Sequence, residues 1–415
     1  MKFLSDSMNA AIENIRAQFP YLENSVRDGR PLVYFDSAAT SQKPRCVIEL
    51  MGEWLADANA NVHRAIYGMA AKATENYEAG RESARELLSA ASKDEIVLTS
   101  GTTASINLLA NTFGAKYIKA GDEILVSEGE HHSNLVPWQM LCERSGAKLR
   151  FIPVNENGEW DMGEAELILS GGKVRLVSAA HISNVLGLVN PVEELSAMAH
   201  RHGAAVHLDG AQGIVHEDVD VRRIGCDFYS FSGHKLYAAT GSGVLYGRKD
   251  LLETLPPWMG GGEMVDTVTF EKTTYAPVPL RFEAGTPNFI AAATLRPAID
   301  FVTSIRNEEV KSNETEMTSY LMQEMKSIDG LRLYGTGTHK APLLSFTVDG
   351  AHHSDIAVLL DKMNIAVRSG LMCSEPLIGK FGQTGMVRVS LGPYNTLEEC
   401  EYFVKSLRRT VNMLR

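Results

Sequence analysis

From Val33 to about Gly247, short apolar runs alternate with amphipathic stretches. Residues 95–99, 123–126, 149–152, 174–177 and 204–208 are nearly continuous in apolar character. That pattern predicts strands buried on both faces, in a mostly parallel sheet with helices above and below it. In such α/β sheets ligands sit beyond the carboxyl ends of the strands, so the chemistry is sought where these runs end.

The texture changes between Leu255 and Asn288, where Pro256-Pro257, Gly260-Gly261-Gly262, Pro277, Pro279 and Gly285-Thr-Pro287 predict long loops over most of the segment. Residues 291–328 are helical in pattern, and runs at 342–348, 365–368 and 386–390 predict strands flanking a helix that begins near Ser354. Thr396, with Glu399 three positions on, is a helix-start signature ahead of Leu397, Phe403, Val404, Leu407 and Val411 at helical spacing. The expected organisation is an N-terminal helical segment over 1–24, with Ile12, Ile15 and Phe19 on one side, a large α/β domain over 25–295, and a smaller α+β domain over 296–415. There is no internal repeat or low-complexity segment.

Of the 415 residues, 51 are acidic and 40 basic, and a net charge of -11 argues against nucleic acid or an anionic membrane as a partner. No apolar run is long enough to span a bilayer, and Lys2, Asp6, Glu13 and Arg16 interrupt the start where a signal peptide is apolar, so a cytoplasmic protein is expected. Five cysteines without a CxxC pair argue against a disulfide scaffold, and without HExxH or a Cys-His cluster no metal site is expected.

Three segments carry candidate chemistry. The stretch Thr99-Ser-Gly-Thr-Thr-Ala-Ser105 joins a strand to a helix with a glycine and hydroxyls, which suits a phosphate at the helix N-terminus, although such turns are also common without a ligand. It lacks the lysine of a P-loop, which disfavours a nucleoside triphosphate. Val206-His-Leu-Asp-Gly-Ala-Gln212 brings Asp209 to the end of a buried strand, as a cofactor partner or as a structural ion pair or cap. Asp227-Phe-Tyr-Ser-Phe-Ser-Gly-His-Lys235 ends the next strand with Lys235, as a reactive amine or as a surface residue at a turn. Together they suit pyridoxal 5'-phosphate: a lysine for the Schiff-base link, an aspartate to keep the pyridine nitrogen protonated, and a helix N-terminus for the phosphate.

At this point the chain resembles the fold-type I pyridoxal-phosphate enzymes of aminotransferase class V, and within them the SufS-type cysteine desulfurases, which are similar to selenocysteine lyases. The resemblance runs in order through Tyr34-Phe-Asp-Ser-Ala-Ala39, Val62-His-Arg64, Gly101-Thr-Thr103, Glu130-His-His-Ser-Asn134, His181-Ile-Ser-Asn184, Asp209-Gly-Ala-Gln212, Ser232-Gly-His-Lys235, Glu283-Ala-Gly-Thr-Pro-Asn288, Arg368-Ser-Gly370 and Tyr394-Asn-Thr396. It implies a large domain with a seven-stranded, mostly parallel sheet between helices and a smaller C-terminal domain.

The resemblance also implies roles. Lys235 carries the cofactor link, Asp209 meets the pyridinium nitrogen, Gln212 and Asn184 bond the phenolic side, and His131 stacks on the ring and takes part in catalysis. Thr102, Thr103, Ser232 and His234 hold the phosphate, and Thr286 reaches that of a second subunit, which implies a homodimer. Arg388 takes the substrate carboxylate, with Arg368, His63 and Asn184 beside it; read without the family, Arg388 is a surface strand arginine and His63 a structural one. Read from spacing alone, Cys373 is an ordinary loop cysteine; the resemblance matches it to the catalytic-cysteine segment, while Cys46, Cys142, Cys226 and Cys400 fall on helix-like or strand-adjacent apolar patterns and read as packing. Leu371-Met372 stands where family members commonly carry histidines before that cysteine.

The implied reaction converts L-cysteine to L-alanine with a persulfide on Cys373, whose loop is expected to be mobile. The sulfur then passes to an acceptor of SufE or SufU type for iron–sulfur cluster assembly. The rival readings are a selenocysteine lyase acting on L-selenocysteine, another class V lyase or transferase, and a non-catalytic protein of the same fold. The pair His352-His353 reads either as part of a partner surface or as a solvated loop.

Overall fold

A computed structural model describes residues 6–27 and 29–415. Seven strands build its main sheet: β1 (Ile96–Thr99), β2 (Glu123–Ser127), β3 (Lys148–Ile152), β4 (Val174–Ala180), β5 (Ala205–Asp209), β6 (Phe228–Ser232) and β7 (Gly243–Gly247), ordered β1-β7-β6-β5-β4-β2-β3. Neighbours from β6 to β3 are parallel, and β7 runs antiparallel to both β6 and β1. The apolar runs thus become strands, and β2, β6 and β7 are buried along their whole length, because helices cover both faces.

The breaker-rich segment holds more structure than its composition predicts. A hairpin of β8 (Val265–Val268) and β9 (Thr273–Tyr275) crosses it. Thr269 closes the hairpin: its N–H donates to the Lys272 carbonyl at 2.8 Å and its hydroxyl accepts from the N–H groups of Glu271 and Lys272. β-Branched and aromatic residues on either side supply the extended arms, a local signal that the surrounding prolines and glycines obscure.

Beyond residue 330, β10 (Leu331–Tyr334), β11 (Leu343–Val348), β12 (Arg368–Gly370) and β13 (Met386–Ser390) form an antiparallel sheet ordered β10-β11-β13-β12. The helices Glu308–Lys326, His353–Lys362 and Leu397–Leu414 pack on it through Met317, Leu321, Ile356, Leu360, Phe403 and Leu407. Thr396 and Glu399 form the capping box expected of them. The run at 365–368 divides in two: Ile365–Ala366 pairs in parallel with Val33–Tyr34, and β12 pairs with β13. Val33 and Phe35 accordingly bury themselves in the core of this second sheet. The N-terminal helix Asp6–Arg16 buries Ile12 and Ile15, and the following Phe19 meets the rings of Tyr237, Phe301 and Tyr394 at centroid distances of 6.1, 5.5 and 4.7 Å.

Candidate active site

The carboxyl ends of β5 and β6 set the site. β5 ends on Asp209, β6 on Ser232, and Lys235 follows three residues later. Around them lies a cavity of about 260 Å³. All the residues to which the resemblance gives a cofactor, substrate or catalytic role line it except His63 and Thr286.

Its electrostatics suit a covalently held cofactor. Burial pulls the Lys235 ammonium down to about 8; Asp209 opposes that shift and Arg388 adds to it. Burial pushes the Asp209 carboxyl up, and its Oδ1 accepts from the Ala211 N–H at 2.9 Å. Gln212 Nε2 donates to the Ala38 carbonyl at 2.7 Å. At the other end, Gly101 has φ 145°, a conformation that favours glycine, and starts the helix Thr102–Asn111. The Ser232 hydroxyl accepts from the Thr102 N–H at 2.9 Å, and Thr103 Oγ1 is 2.7 Å from Ser133 Oγ. A helix N-terminus rimmed with hydroxyls, a carboxylate at a strand end and a lysine whose amine carries no protein hydrogen bond among those described fit the phosphate, the ring nitrogen and the aldehyde of pyridoxal 5'-phosphate.

His131 lines the cavity with Nδ1 turned back to accept from the Ser133 N–H at 3.0 Å. Burial and the Lys235 charge hold its imidazole down at about 4, so it is neutral and its face is free to stack. Burial and the Lys235 charge likewise hold His234 at about 4, and its Nδ1 is 3.2 Å from Thr40 Oγ1. Glu130, to which the sequence reading gave no role, supports this floor. Its enclosed carboxylate accepts from Ser127 Oγ, from Asn134 Nδ2 at 2.6 Å and from the N–H of Ala180, the register partner of Asp209, at 3.0 Å. Burial pushes its carboxyl up to about 7.

Arg388 on β13 is buried, 3% exposed, and is not the surface arginine that its strand position alone suggests. Its Nη1 donates to the Asn184 carbonyl at 2.8 Å and its Nη2 to Asp36 Oδ1 at 3.2 Å, while Nε is buried without a protein partner. A buried donor left open marks the place where an anionic ligand group can bind. Arg368 sits opposite Arg388 in the strand register and pairs with Asp36 Oδ2 at 2.8 Å. Asp36 belongs to a quoted motif, yet nothing in the sequence pairs position 36 with 368 and 388.

Cys373 stands exposed at the cavity. Met372 and Cys373 have φ of 46° and 55°, two successive left-handed residues that turn the chain sharply. The loop is tied rather than loose: the Cys373 carbonyl accepts from the His132 N–H at 2.7 Å, and the Ser374 N–H donates to the Leu371 carbonyl at 2.9 Å. The mobility expected of it does not follow from its bonding. Cys226 and Cys400 are buried and Cys46 and Cys142 half-buried, and burial raises the thiol of each.

His63 lies outside the cavity, its Nε2 3.2 Å from Glu78 Oε1, a hydrogen bond that raises its imidazole. Thr286 is exposed on the 283–288 loop and likewise faces no part of this chain's cavity. His352 caps the helix His353–Lys362 by accepting from the Ser354 N–H at 3.3 Å, which gives that member of the pair a structural function. Among the described residues no group of three or more His, Cys, Asp or Glu is placed to hold a metal ion, and no helix is long and apolar enough to cross a membrane.

Comparison with known proteins agrees with this geometry. The family described as aminotransferase class-V matches residues 33–403. A probable cysteine desulfurase of Vibrio cholerae is 46% identical over 97% of this chain and 99% of its own, and a cysteine desulfurase of Enterobacter sp. is 44% identical over 98% and 100%. Among solved structures, the cysteine desulfurase CsdA of Escherichia coli superposes with a TM-score of 0.90 at 37% identity, covering 97% of this chain and 99% of that one. The apo cysteine desulfurase of Thermococcus onnurineus gives 0.91 at 35%, covering 97% and 98%.

Fold and cavity together define a pyridoxal-phosphate-dependent enzyme of the α/β class. The chain belongs to the aminotransferase class-V family, and the relatives named above, which it matches over nearly its full length, bear the names cysteine desulfurase or probable cysteine desulfurase.

Proposed function

We propose that this protein is a SufS-type cysteine desulfurase that converts L-cysteine to L-alanine and retains the sulfur as a persulfide on Cys373. The observation that carries the reading is the exposed Cys373 thiol sharing one cavity with Lys235, Asp209 and Arg388. The site falls where the proposed domains, 25–295 and 296–415, meet.

When bound, pyridoxal 5'-phosphate supplies an electron-withdrawing ring that stabilises negative charge developing on the substrate carbons. Lys235 would anchor it, Asp209 would keep the ring nitrogen protonated, Gln212 would serve its phenolic oxygen, Thr102, Thr103, Ser232 and His234 would hold its phosphate, and the neutral His131 would stack on it. Arg388 binds the cysteine carboxylate through its open donors, with Arg368 beside it. The amine of Lys235, whose ammonium burial lowers to about 8, would take the proton from Cα. The Cys373 thiolate then bonds the substrate sulfur as the Cβ–S bond breaks; that bonding pair stays with carbon, Cβ takes a proton, and alanine leaves.

An exposed thiol suits onward transfer to an acceptor protein of SufE or SufU type, and so to iron–sulfur cluster assembly. A homodimer is part of the same reading: Thr286 would serve the second subunit, and the fully exposed Ile66 and Phe270 offer apolar surface for it. Five free cysteines suit a reducing cytoplasm.

The test is alanine and sulfide release from L-cysteine with a reductant, using the loaded protein and its Cys373→Ala and Lys235→Ala variants. Activity lost in both supports the reading. Full activity in Cys373→Ala would overturn the persulfide and point to a lyase acting on cysteine or selenocysteine.

A further inference from the structure

Asn184 touches both halves of the proposed chemistry. Its main-chain carbonyl accepts from Arg388 Nη1 at 2.8 Å. Its side-chain amide is turned the other way, with Nδ2 donating to the Met372 carbonyl at 2.8 Å and Oδ1 accepting from the Ser374 hydroxyl at 3.1 Å. The residues so held are the two that flank Cys373. Asn184 and Ser374 are themselves buried, so water does not compete freely for these bonds.

We propose that Asn184 is the positioning residue that fixes the Cys373 thiol relative to the substrate carboxylate, its carbonyl setting Arg388 and its amide setting the Met372 and Ser374 sides of the thiol loop. This rests on the reading of Cys373 as nucleophile and Arg388 as carboxylate site, and it gives Asn184 a duty distinct from holding the cofactor. Two successive left-handed residues are an unfavourable backbone state that a free loop would leave. The Asn184 amide, with the His132 N–H on the Cys373 carbonyl, keeps the loop in it. The thiol is therefore presented by the body of the large sheet, since Asn184 follows directly on the segment leaving β4.

The arrangement predicts an asymmetry. Substituting the side chain removes the loop clamp but leaves the main-chain carbonyl that holds Arg388. In the loaded enzyme, Asn184→Ala should speed amide hydrogen exchange in the peptide spanning 371–375 by about tenfold, and Ser374→Ala, which removes one bond from the loop side, by about threefold. Single-turnover persulfide formation should fall about tenfold or more in Asn184→Ala while KM for L-cysteine changes less than about threefold. Cofactor absorbance in Ser374→Ala should match the parent. Unchanged loop exchange in both variants would overturn the proposal. So would an Asn184→Ala variant that releases the cofactor or raises KM while its loop exchanges at the parental rate, because Asn184 would then serve the cofactor alone. If the parent formed no persulfide, the functional reading would fall and the exchange comparison would still decide the clamp.

Discussion

Asp36 stands between two guanidiniums, accepting from Arg388 on Oδ1 at 3.2 Å and from Arg368 on Oδ2 at 2.8 Å. One carboxylate thus orients both arginines, and with the Asn184 carbonyl it holds Arg388 from two sides, leaving Nε open. Asp36 touches no reacting atom in the proposed scheme; it acts by aiming the arginine. Asp36→Asn keeps the shape but loses the charge-assisted bonds. It should raise KM for L-cysteine about tenfold and change kcat less than about threefold in steady-state kinetics. An unchanged KM would show that Arg388 needs no such guide.

Lys235 yields a pH prediction. Its ammonium is lowered to about 8, so the amine able to attack an aldehyde is scarce below that pH and dominant above it. Attachment of pyridoxal 5'-phosphate to cofactor-free protein should accelerate as pH rises through about 8 and then level off, followed by cofactor absorbance after rapid mixing. Asp209 favours the charged amine, so Asp209→Asn should move the inflection to lower pH. An inflection near 10.5, the ordinary lysine value, would mean that burial does not set the amine's charge.

Lys235, Asp209 and the Gly101 turn stand out in the sequence because each lies where an apolar run ends, and the strand ends bring all three to one cavity. Arg388 and Cys373 became candidates only through resemblance, since an arginine in a strand and a cysteine in a loop carry no local mark of their use. Asp36 and the Asn184 clamp carry no mark in the sequence for a physical reason. Asp36 meets partners 332 and 352 positions away, and Asn184 meets Met372 across 188. No periodicity encodes such pairs. Mobility is expected of the Cys373 loop because its thiol has to meet first the substrate and then an acceptor; the hydrogen bonds on it from His132 and Asn184 come from segments far away in the chain.

Glu283, on the loop that leads to Thr286, makes a buried bidentate pair with Arg81, at 2.6 and 2.9 Å, and also accepts from Tyr77 OH at 2.9 Å and the Leu98 N–H at 2.8 Å. Removing Glu283 leaves the buried guanidinium with only the part-exposed Glu78, at 3.0 and 3.2 Å, and the Ile96 carbonyl, and strips the Tyr77 hydroxyl and the Leu98 N–H of their acceptor. Glu283→Ala should therefore lose about 3–5 kcal/mol of stability in urea titration. Glu283→Gln, which keeps the shape and one acceptor, should lose less. A loss within about 0.5 kcal/mol for the alanine variant would mean that Glu78 and water suffice for Arg81.

Gly210 follows Asp209 directly, and its place is set by Tyr229 on the neighbouring strand. A Cβ at position 210 would lie 2.0 Å from Tyr229 Cε1 and 2.4 Å from its hydroxyl. That ring is wholly buried, and its hydroxyl is 3.0 Å from His181 Nδ1, so it has nowhere to retreat. The strain must pass into the backbone that carries Asp209, whose carbonyl accepts from the His181 N–H at 2.9 Å. Gly210→Ala should lower stability by about 1–3 kcal/mol and weaken cofactor retention on dialysis, because it would shift the carboxylate proposed to meet the ring nitrogen. Gly52 is the control: it lies in the helix Arg45–Asp57 with nothing within 4 Å of its added Cβ. There the same substitution should stabilise by about 0.5–1 kcal/mol and leave the cofactor untouched. If both variants kept their cofactor equally, the close packing of Gly210 on Tyr229 would have no part in placing Asp209.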